Sequence, residues 1–391
     1  VPAAEPEAAA PAASWEPRGV YLAIALSGLT ALGAEVVWTR LLSLLFGATT
    51  YAFSVILAVF LIGLGIGSVV GSAIARESRS PRALLGWLQL ALAMTTAWGA
   101  WALARSLPHW PINVGLAPTA WFNFQMDLVR SLYVILPGAI LWGASFPVAL
   151  AAASGGATDP GRTVGRVYAA NTLGAIGGSL LTGLVFVPWI GTKGAQQVLI
   201  AVSVVSGMLA IVPLIRPASS TDSAPAWRPG AGTIAGVGTM AIAALYFMAH
   251  VSSVPPGLIA WGRSLSWQGE PNALFVGEGI NSSIAVTEEP NGYRNFHVSG
   301  KVEASTEPQD MRLQRLLGHL SALMHKEPKR VLVVGFGAGV TAGAISVHPS
   351  LEQMVICEME PLIPRVVSTY FRDANHAVAD NPKVRITYDD A

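Results

Sequence analysis

Apolar residues fill the first two thirds of the chain in long, nearly unbroken runs, whereas in the last third they alternate with polar ones. The runs near 18–46, 49–75, 83–107, 130–153, 164–190, 195–215 and 231–251 each reach the length of about 20 apolar residues that a helix needs to cross the hydrocarbon of a bilayer. Between them lie charged or proline-rich segments: ARESRSPR, LPHWPINVGLAPTAWFNFQMD, SGGATDPGRTVGR and RPASSTDSAPAWRP. The pattern predicts an α-helical membrane domain over 18–251 with about seven spans. The segment 105–129, which carries Trp110 and Trp121, is expected as an interfacial loop, where indole rings favour the headgroup zone. Residues 1–17 are rich in Pro and Ala and lack the basic start of a signal peptide, so a disordered leader is expected there. Residues 252–273 read as a linker.

After that the periodicity changes. SIAVTEE and RNFHVSG alternate around PNG, an Asn-Gly turn signal, and predict a β-hairpin subdomain over 274–309. In PQDMRLQRLLGHLSALMH the apolar positions 313, 316, 317, 320, 323 and 324 recur at helical spacing, and Pro328 ends the helix. RVLVVGFGAGVTAGAISVH, QMVICEMEP, PLIPRVVSTYF and KVRITYDDA then read as strand–turn–helix, strand, helix and strand. A βαβαβ order implies a parallel sheet with right-handed crossovers. The fold class expected is thus a multi-span α-helical membrane domain followed by α/β: the hairpin subdomain and, over 310–391, a partial Rossmann-like sheet.

Composition agrees with this division. Hydrophobic residues make up 52% of the 391 and charged ones only 12%, against about a quarter in soluble domains. A net charge of +1 excludes a nucleic-acid partner, because neutralising phosphates takes a dense basic face. The single cysteine, Cys357, excludes an internal disulfide and a cysteine metal cluster, and no metal is expected. Inside a buried strand it behaves as a small apolar residue. His319 and His325 have no metal-spaced partners and read as surface or packing residues.

Two helices carry small residues four apart: Gly63, Gly67 and Gly71, then Gly174 and Gly178. Such stripes let backbones approach closely, and helix packing accounts for them better than a pore does. Glu35 lies deep in the first run, with Arg40 five residues on as its expected partner, and Asn171 and Tyr168 are milder intramembrane polar positions.

The chemistry concentrates in VLVVGFGAGVTAG. Gly335, Gly337 and Gly339 permit a tight turn and close approach of backbone to a ligand. Glu358 ends the next strand about 20 residues on, where an acid can accept bonds from both ribose hydroxyls. The dinucleotide pattern G-x-G-x-x-G would need glycine at Val340. The spacing G-x-G-x-G is instead that of adenosylmethionine-type loops, in which an acid after a later strand meets the adenine amine: Asp390, or Asp389. Asp310 serves equally as a helix cap or as a substrate-site acid.

At these residues the chain resembles the spermidine synthase (aminopropyltransferase) family, and more closely its bacterial membrane-fused version. HKEPKRVLVVGFGAGV is similar to HPxPKxVLxIGGGDGG, HPSLEQMVICEME to HPSVExVxxCEID, FHVSGKVEAST to LxLDGxxQxT, and QDMRLQRLLGHL to DExxYQExxxHL. GAEVVWTRLLSLLFGATTYAFSVILAVFLIGLGIGS and GRVYAANTLGAIGGSLL look like segments of the fused subfamily. The resemblance implies transfer of an aminopropyl group from decarboxylated adenosylmethionine to putrescine or a related amine, without a metal, and leaves adenosylmethionine itself as the other nucleoside. It implies ribose binding by Glu358 and adenine binding by Asp390, with Gln314, Glu303 and Asp310 on the substrate side. Two positions depart from it: the loop acid of the family is Ala338 here and its substrate-lining tyrosine is Leu313. Its proton-accepting Asp follows a strand beyond Ala391, so the chain as given is expected to be inactive.

Three functions follow: a membrane-anchored aminopropyltransferase; an adenosylmethionine-dependent transferase of other specificity or a nucleoside-binding regulator, favoured by Ala338; and a transporter with a soluble sensing module, favoured by Glu35. Partners expected are the lipid bilayer and a small amine, with a homo-oligomer left open. The expected location is a bacterial inner membrane. Arg18, Arg76, Arg79, Arg82, Arg162, Arg166, Arg216 and Arg228 share one side, against Arg40, Arg105, Arg130 and Lys193 on the other. With seven spans the positive-inside rule puts the α/β part outside. A miscounted span, with that part in the cytoplasm, is the expectation adopted.

Overall fold

The computed structural model describes residues 16–110, 119–154, 159–215 and 230–390. The expected leader, except its last two residues, lies outside the described residues, as do Arg216 and Arg228. Helices α1 (Glu16–Phe46), α2 (Thr50–Glu77), α3 (Pro81–Trp101), α4 (Ala120–Ser154), α5 (Pro160–Leu181), α6 (Val187–Ile215) and α7 (Ala231–Ala249) form an apolar bundle. Starts are marked by the caps their sequences supply: Ser80 accepts from the Ala83 N–H and Asp159 from the Arg162 N–H, each followed by Pro at the first helical position.

Six helical stretches are long and apolar enough to cross a membrane by length and composition. One of them, Pro160–Leu214, is 55 residues long and turns back at Gly191, where φ is 70°. Thr182 and Leu199, on either side of that reversal, both lie against Gly33 of α1. The described residues therefore make seven passes through the bundle.

The glycine stripes sit where backbones meet. A Cβ on Gly67 would lie 1.9 Å from the Ile140 carbonyl oxygen of α4, and one on Gly71 2.6 Å from Ala144 Cα. On α5, a Cβ at Gly174 would lie 1.8 Å from the Ala25 oxygen and one at Gly178 2.1 Å from that of Leu29, both on α1. Trp38 and Trp142 fill the centre, their ring centroids 5.6 Å apart, and Trp142 Nε1 donates to Thr30 Oγ1 at 3.1 Å.

Three expectations are corrected. The interfacial loop over 105–129 is helix from Ala120 onward, and it buries Asp127 and Arg130. Asp127 accepts two bonds from Arg263 at 2.9 Å, with Arg130 3.9 Å away, which explains how these charges tolerate burial. The linker 252–273 contains α8 (Pro256–Trp261) and α9 (Leu265–Gln268), with Leu258, Ile259 and Ala260 buried against Leu44 and Leu45. Arg40 does not pair with Glu35. Five residues at about 100° each leave the two side chains on different faces of α1, and Arg40 reaches instead to the carbonyls of Gly279 and Ile280.

The α/β part begins with an antiparallel sheet of β1 (Ala273–Glu278), β2 (Ser283–Glu288), β3 (Arg294–Val298) and β4 (Lys301–Ser305) in that order. Asn291–Gly292 turns β2 into β3, with Ile284 opposite Val298 and Val286 opposite Phe296. Helix α10 (Pro308–Met324) leads to a parallel sheet, order β5 (Arg330–Val334), β6 (Gln353–Cys357), β7 (Val384–Thr387), crossed by α11 (Val340–Ser346) and α12 (Leu362–Tyr370). Both sheets share one core: Ile284, Val286 and Phe296 pack with Met354, Ile356, Val367 and Phe371. The alternation in β2 and β3 places those side chains on the face turned to the helices.

Gly67→Ala is expected to lower bundle stability by about 1–3 kcal/mol, because a backbone carbonyl occupies the space the methyl needs. Gly65→Ala on the same helix meets no atom within 4 Å and should leave the melting temperature in detergent unchanged. Equal effects of the two substitutions would contradict the packing argument.

Candidate functional site

Three parallel strands deliver the predicted ligand-binding residues to one edge of the sheet, the carboxyl edge at which ligands of such sheets bind. β5 ends in the glycine loop, whose first N–H, that of Gly335, donates to the Cys357 carbonyl at 2.8 Å. Gly335, Gly337 and Gly339 have φ of 82°, 52° and 77°, a region that L side chains rarely enter. Added Cβ atoms at Gly335 and Gly337 would meet no protein atom within 4 Å, so their backbones are open to close approach. At Gly339 a Cβ would lie 2.8 Å from the Phe336 ring. Phe336 is buried in the shared core and anchors the loop from below.

Glu358 follows β6 and is buried. One carboxylate oxygen accepts from the Phe336 N–H at 2.8 Å and the other from the Glu360 N–H at 2.9 Å. The side chain expected to meet a ribose thus also holds the glycine loop, and each oxygen keeps a further lone pair for a ligand hydroxyl. Asp389 and Asp390 follow β7, on the same edge, and are exposed; Asp389 accepts from the Asp390 N–H.

The substrate-side candidates divide. Asp310 and Gln314 converge on Ser305: Asp310 Oδ2 accepts from its N–H and hydroxyl at 2.5 and 2.9 Å, and Gln314 Nε2 donates to its carbonyl at 3.2 Å. Asp310 therefore secures the turn from β4 into α10. Glu303 and Leu313 are exposed, whereas Ala338 is buried. Asn171 lies far along the chain in α5, its carbonyl oxygen against Gly28 of α1, and Glu35 is half-buried on α1; both belong to the bundle.

Sequence reasoning missed three residues of this site. Asn375 Nδ2 donates to the Ala338 carbonyl at 3.1 Å and so braces the loop from α12's far end. Glu360 is buried and accepts from the N–H groups of Asn281, Ser282 and Leu362. Arg40 grips the same β1–β2 turn from the bundle. The second acid of CEME was the signal for Glu360; nothing local points to the other two. Among the described residues no three His, Cys, Asp or Glu side chains gather as metal donors.

Comparison with known proteins gives this edge a family. The family model described as "Spermine/spermidine synthase domain" matches residues 310–391. These residues are thus similar to a spermine/spermidine synthase domain. Spermidine synthase 1 of Hyoscyamus niger is 29% identical over 145 residues, 35% of this chain and 44% of that protein. A polyamine aminopropyltransferase of Mycobacterium tuberculosis is 25% identical over 286 residues, 70% of this chain and 50% of that protein. That match is longer than everything after residue 251, so it runs back into the helical bundle. The chain spans about half the length of the curated relatives it matches. A spermidine synthase solved with the transition-state analogue AdoDATO overlaps 30% of this chain and 41% of its own, at 23% identity and a TM-score of 0.29.

The α/β part is joined to the bundle through the antiparallel sheet. Glu278 of β1 accepts from the Thr192 N–H and hydroxyl at 3.1 Å, just past the Gly191 reversal. A cavity of about 470 Å3 lies at this junction, lined by Trp189, Gly191, Val254, Ile259, Val276 and Glu278. On β3, His297 is fully buried, with Nδ1 2.9 Å from the Ala260 carbonyl of α8 and Nε2 2.8 Å from Thr287 Oγ1. The neutral ring satisfies both, Nδ1–H donating and Nε2 accepting from the hydroxyl.

Burial pushes the His297 pKa down to about 4 from 6.5, opposed in part by the Ala260 carbonyl. The unfolded chain therefore binds the extra proton between these values. The stability held by neutral His297 is complete above pH 6.5 and falls as pH drops toward 4, by up to about 1.4 kcal/mol per pH unit. Melting temperature measured between pH 7.5 and 4.5 should fall more steeply for the wild type than for His297→Gln. Parallel curves would show that folding does not lower the His297 pKa.

Proposed function

We propose that this protein is a membrane-anchored aminopropyltransferase-like enzyme whose domain takes decarboxylated adenosylmethionine as the aminopropyl donor and putrescine or a related amine as acceptor. The observation that carries this reading is Glu358: a buried carboxylate at the carboxyl edge, fixed against an open glycine loop, in a synthase-family domain. In the reaction a neutral amine forms a C–N bond at the carbon next to the sulfonium, the C–S bond breaks, and methylthioadenosine leaves. The new ammonium then gives its proton to a base. This chain's contribution is to hold the nucleoside: Glu358 to the ribose, Asp389 or Asp390 to the adenine, and the glycine backbone beneath them. Asp310, Gln314 and Glu303 are assigned to the amine side.

A second reading, a nucleoside-binding module that transfers no aminopropyl group, is favoured by two positions. The side chains of Ala338 and Leu313 carry no polar atom for a cationic amine.

Calorimetric titration with decarboxylated adenosylmethionine, adenosylmethionine and methylthioadenosine is expected to show binding of the decarboxylated donor and of methylthioadenosine, weakened at least about tenfold in Glu358→Ala. Spermidine produced from putrescine by the full-length protein, extended past residue 391, supports transfer. Preference for adenosylmethionine, or binding that survives Glu358→Ala, counts against it.

Orientation provides an independent test. The domain docks at the bundle end formed by Arg40, Asp127 and Thr192, away from Arg76, Arg79, Arg162 and Arg166. A donor made in the cytosol requires the domain to face it. In a Cys357→Ala background, Asn291→Cys should therefore be shielded from an impermeant maleimide added outside intact cells. Labelling from outside would favour the second reading and an extracytoplasmic nucleoside.

A further inference from the structure

The bundle and the nucleoside edge are joined by an unbroken run of short polar contacts. Arg40, near the end of α1, donates to the Gly279 carbonyl at 2.7 Å and to that of Ile280 at 3.0 Å. These carbonyls belong to the β1–β2 turn, whose next two N–H groups, of Asn281 and Ser282, donate to Glu360 Oε2 at 2.7 and 3.3 Å. Asn281 Nδ2 adds a bond to the Met359 carbonyl at 2.8 Å. The turn has no slack, since a Cβ on Gly279 would lie 2.2 Å from the Glu360 carboxyl carbon. The Glu360 N–H in turn donates to Glu358 Oε1, and Glu358 Oε2 accepts from the Phe336 N–H in the middle of the glycine loop.

We propose that Arg40 is a positioning residue for the nucleoside site: through the β1–β2 turn and Glu360 it sets where the Glu358 carboxylate stands, and through Glu358 the geometry of the glycine loop. Arg40 is suited to this because its planar fork bonds two successive carbonyls and fixes the turn in direction as well as distance. The turn is clamped from the bundle on both sides, by Arg40 on one and by the Thr192–Glu278 bonds on the other. Glu360 is its only carboxylate contact toward the parallel sheet among the described residues. Displacement of α1 therefore enters the carboxyl edge at Met359 and Glu360, next to Glu358. The consequence for affinity rests on the nucleoside reading above; the consequence for the loop does not.

Hydrogen exchange of the full chain in detergent tests the loop directly, without ligand. Arg40→Gln should speed exchange in segment 334–340 by about tenfold, with Arg40→Lys between it and the wild type. Segment 384–387 of β7 should not change, and neither segment should respond to Arg365→Gln on the surface of α12. Unchanged exchange at 334–340, or an increase spread evenly over the domain, would overturn the proposal. The affinity arm is a double-mutant cycle with methylthioadenosine: Arg40→Gln should weaken binding in the wild type and add nothing to Glu358→Gln, whereas additive losses would refute the coupling. Should the wild type bind no nucleoside, the function proposed above fails while the exchange result still decides the role of Arg40.

Discussion

Two buried carboxylates, two residues apart in CEME, brace the α/β part by accepting from backbone N–H groups of its turns and glycine loop. Glu358 and Glu360 between them accept from Phe336, Glu360, Asn281, Ser282 and Leu362. Charged acceptors make stronger bonds than neutral ones, and five donors offset what desolvation and mutual repulsion cost. One carboxylate looks toward the glycine loop and the other toward the antiparallel sheet. The position of the whole edge, relative both to the core and to the bundle, follows from this pair.

Much of that arrangement was legible because it is written in local pattern. The G-x-G-x-G spacing fixes a turn that only glycine can make, and its three residues have the left-handed φ the spacing asks for. Alternation in SIAVTEE and RNFHVSG finds the hairpin, and Gly67 and Gly174 find the helix contacts. What local pattern lacks is any record of partners far along the chain. Arg40 is only a candidate partner for Glu35 on spacing; its actual acceptors are about 240 positions away. Residues 252–273 read as a linker because no apolar run long enough to span lies there, yet they supply Leu258 and Ile259 to the bundle core. Asp127 is hidden for a related reason: a tryptophan-bearing segment suggests an interface, and the aspartate's partner, Arg263, lies 136 positions further on.

The two halves solve the same problem differently. In the bundle, backbone groups are satisfied within each helix, so proximity is limited by side-chain size, and glycine sets how closely α2 approaches α4 and α5 approaches α1. In the α/β part, backbone groups at turns have no helix to satisfy them, and carboxylates do it instead. The junction combines both devices, since Gly191 turns the chain and Glu278 accepts the Thr192 N–H that this turn exposes.

Charge placement gives the bundle a direction. At the domain end three cations are bonded to the protein itself, Arg40 to two carbonyls, Arg105 to Ser252, and Arg263 to Asp127 and Asn123, while Lys193 is exposed. At the other end Arg76, Arg79, Arg162 and Arg166 are exposed and, among the described residues, make no such bonds. The charge free to interact with anionic headgroups is therefore more lopsided than a count of Lys and Arg suggests, and it lies away from the domain. By the positive-inside rule that asymmetry opposes the cytosolic placement that the proposed donor requires. The fold of the site is indifferent to that placement, but the identity of the molecule it meets is not.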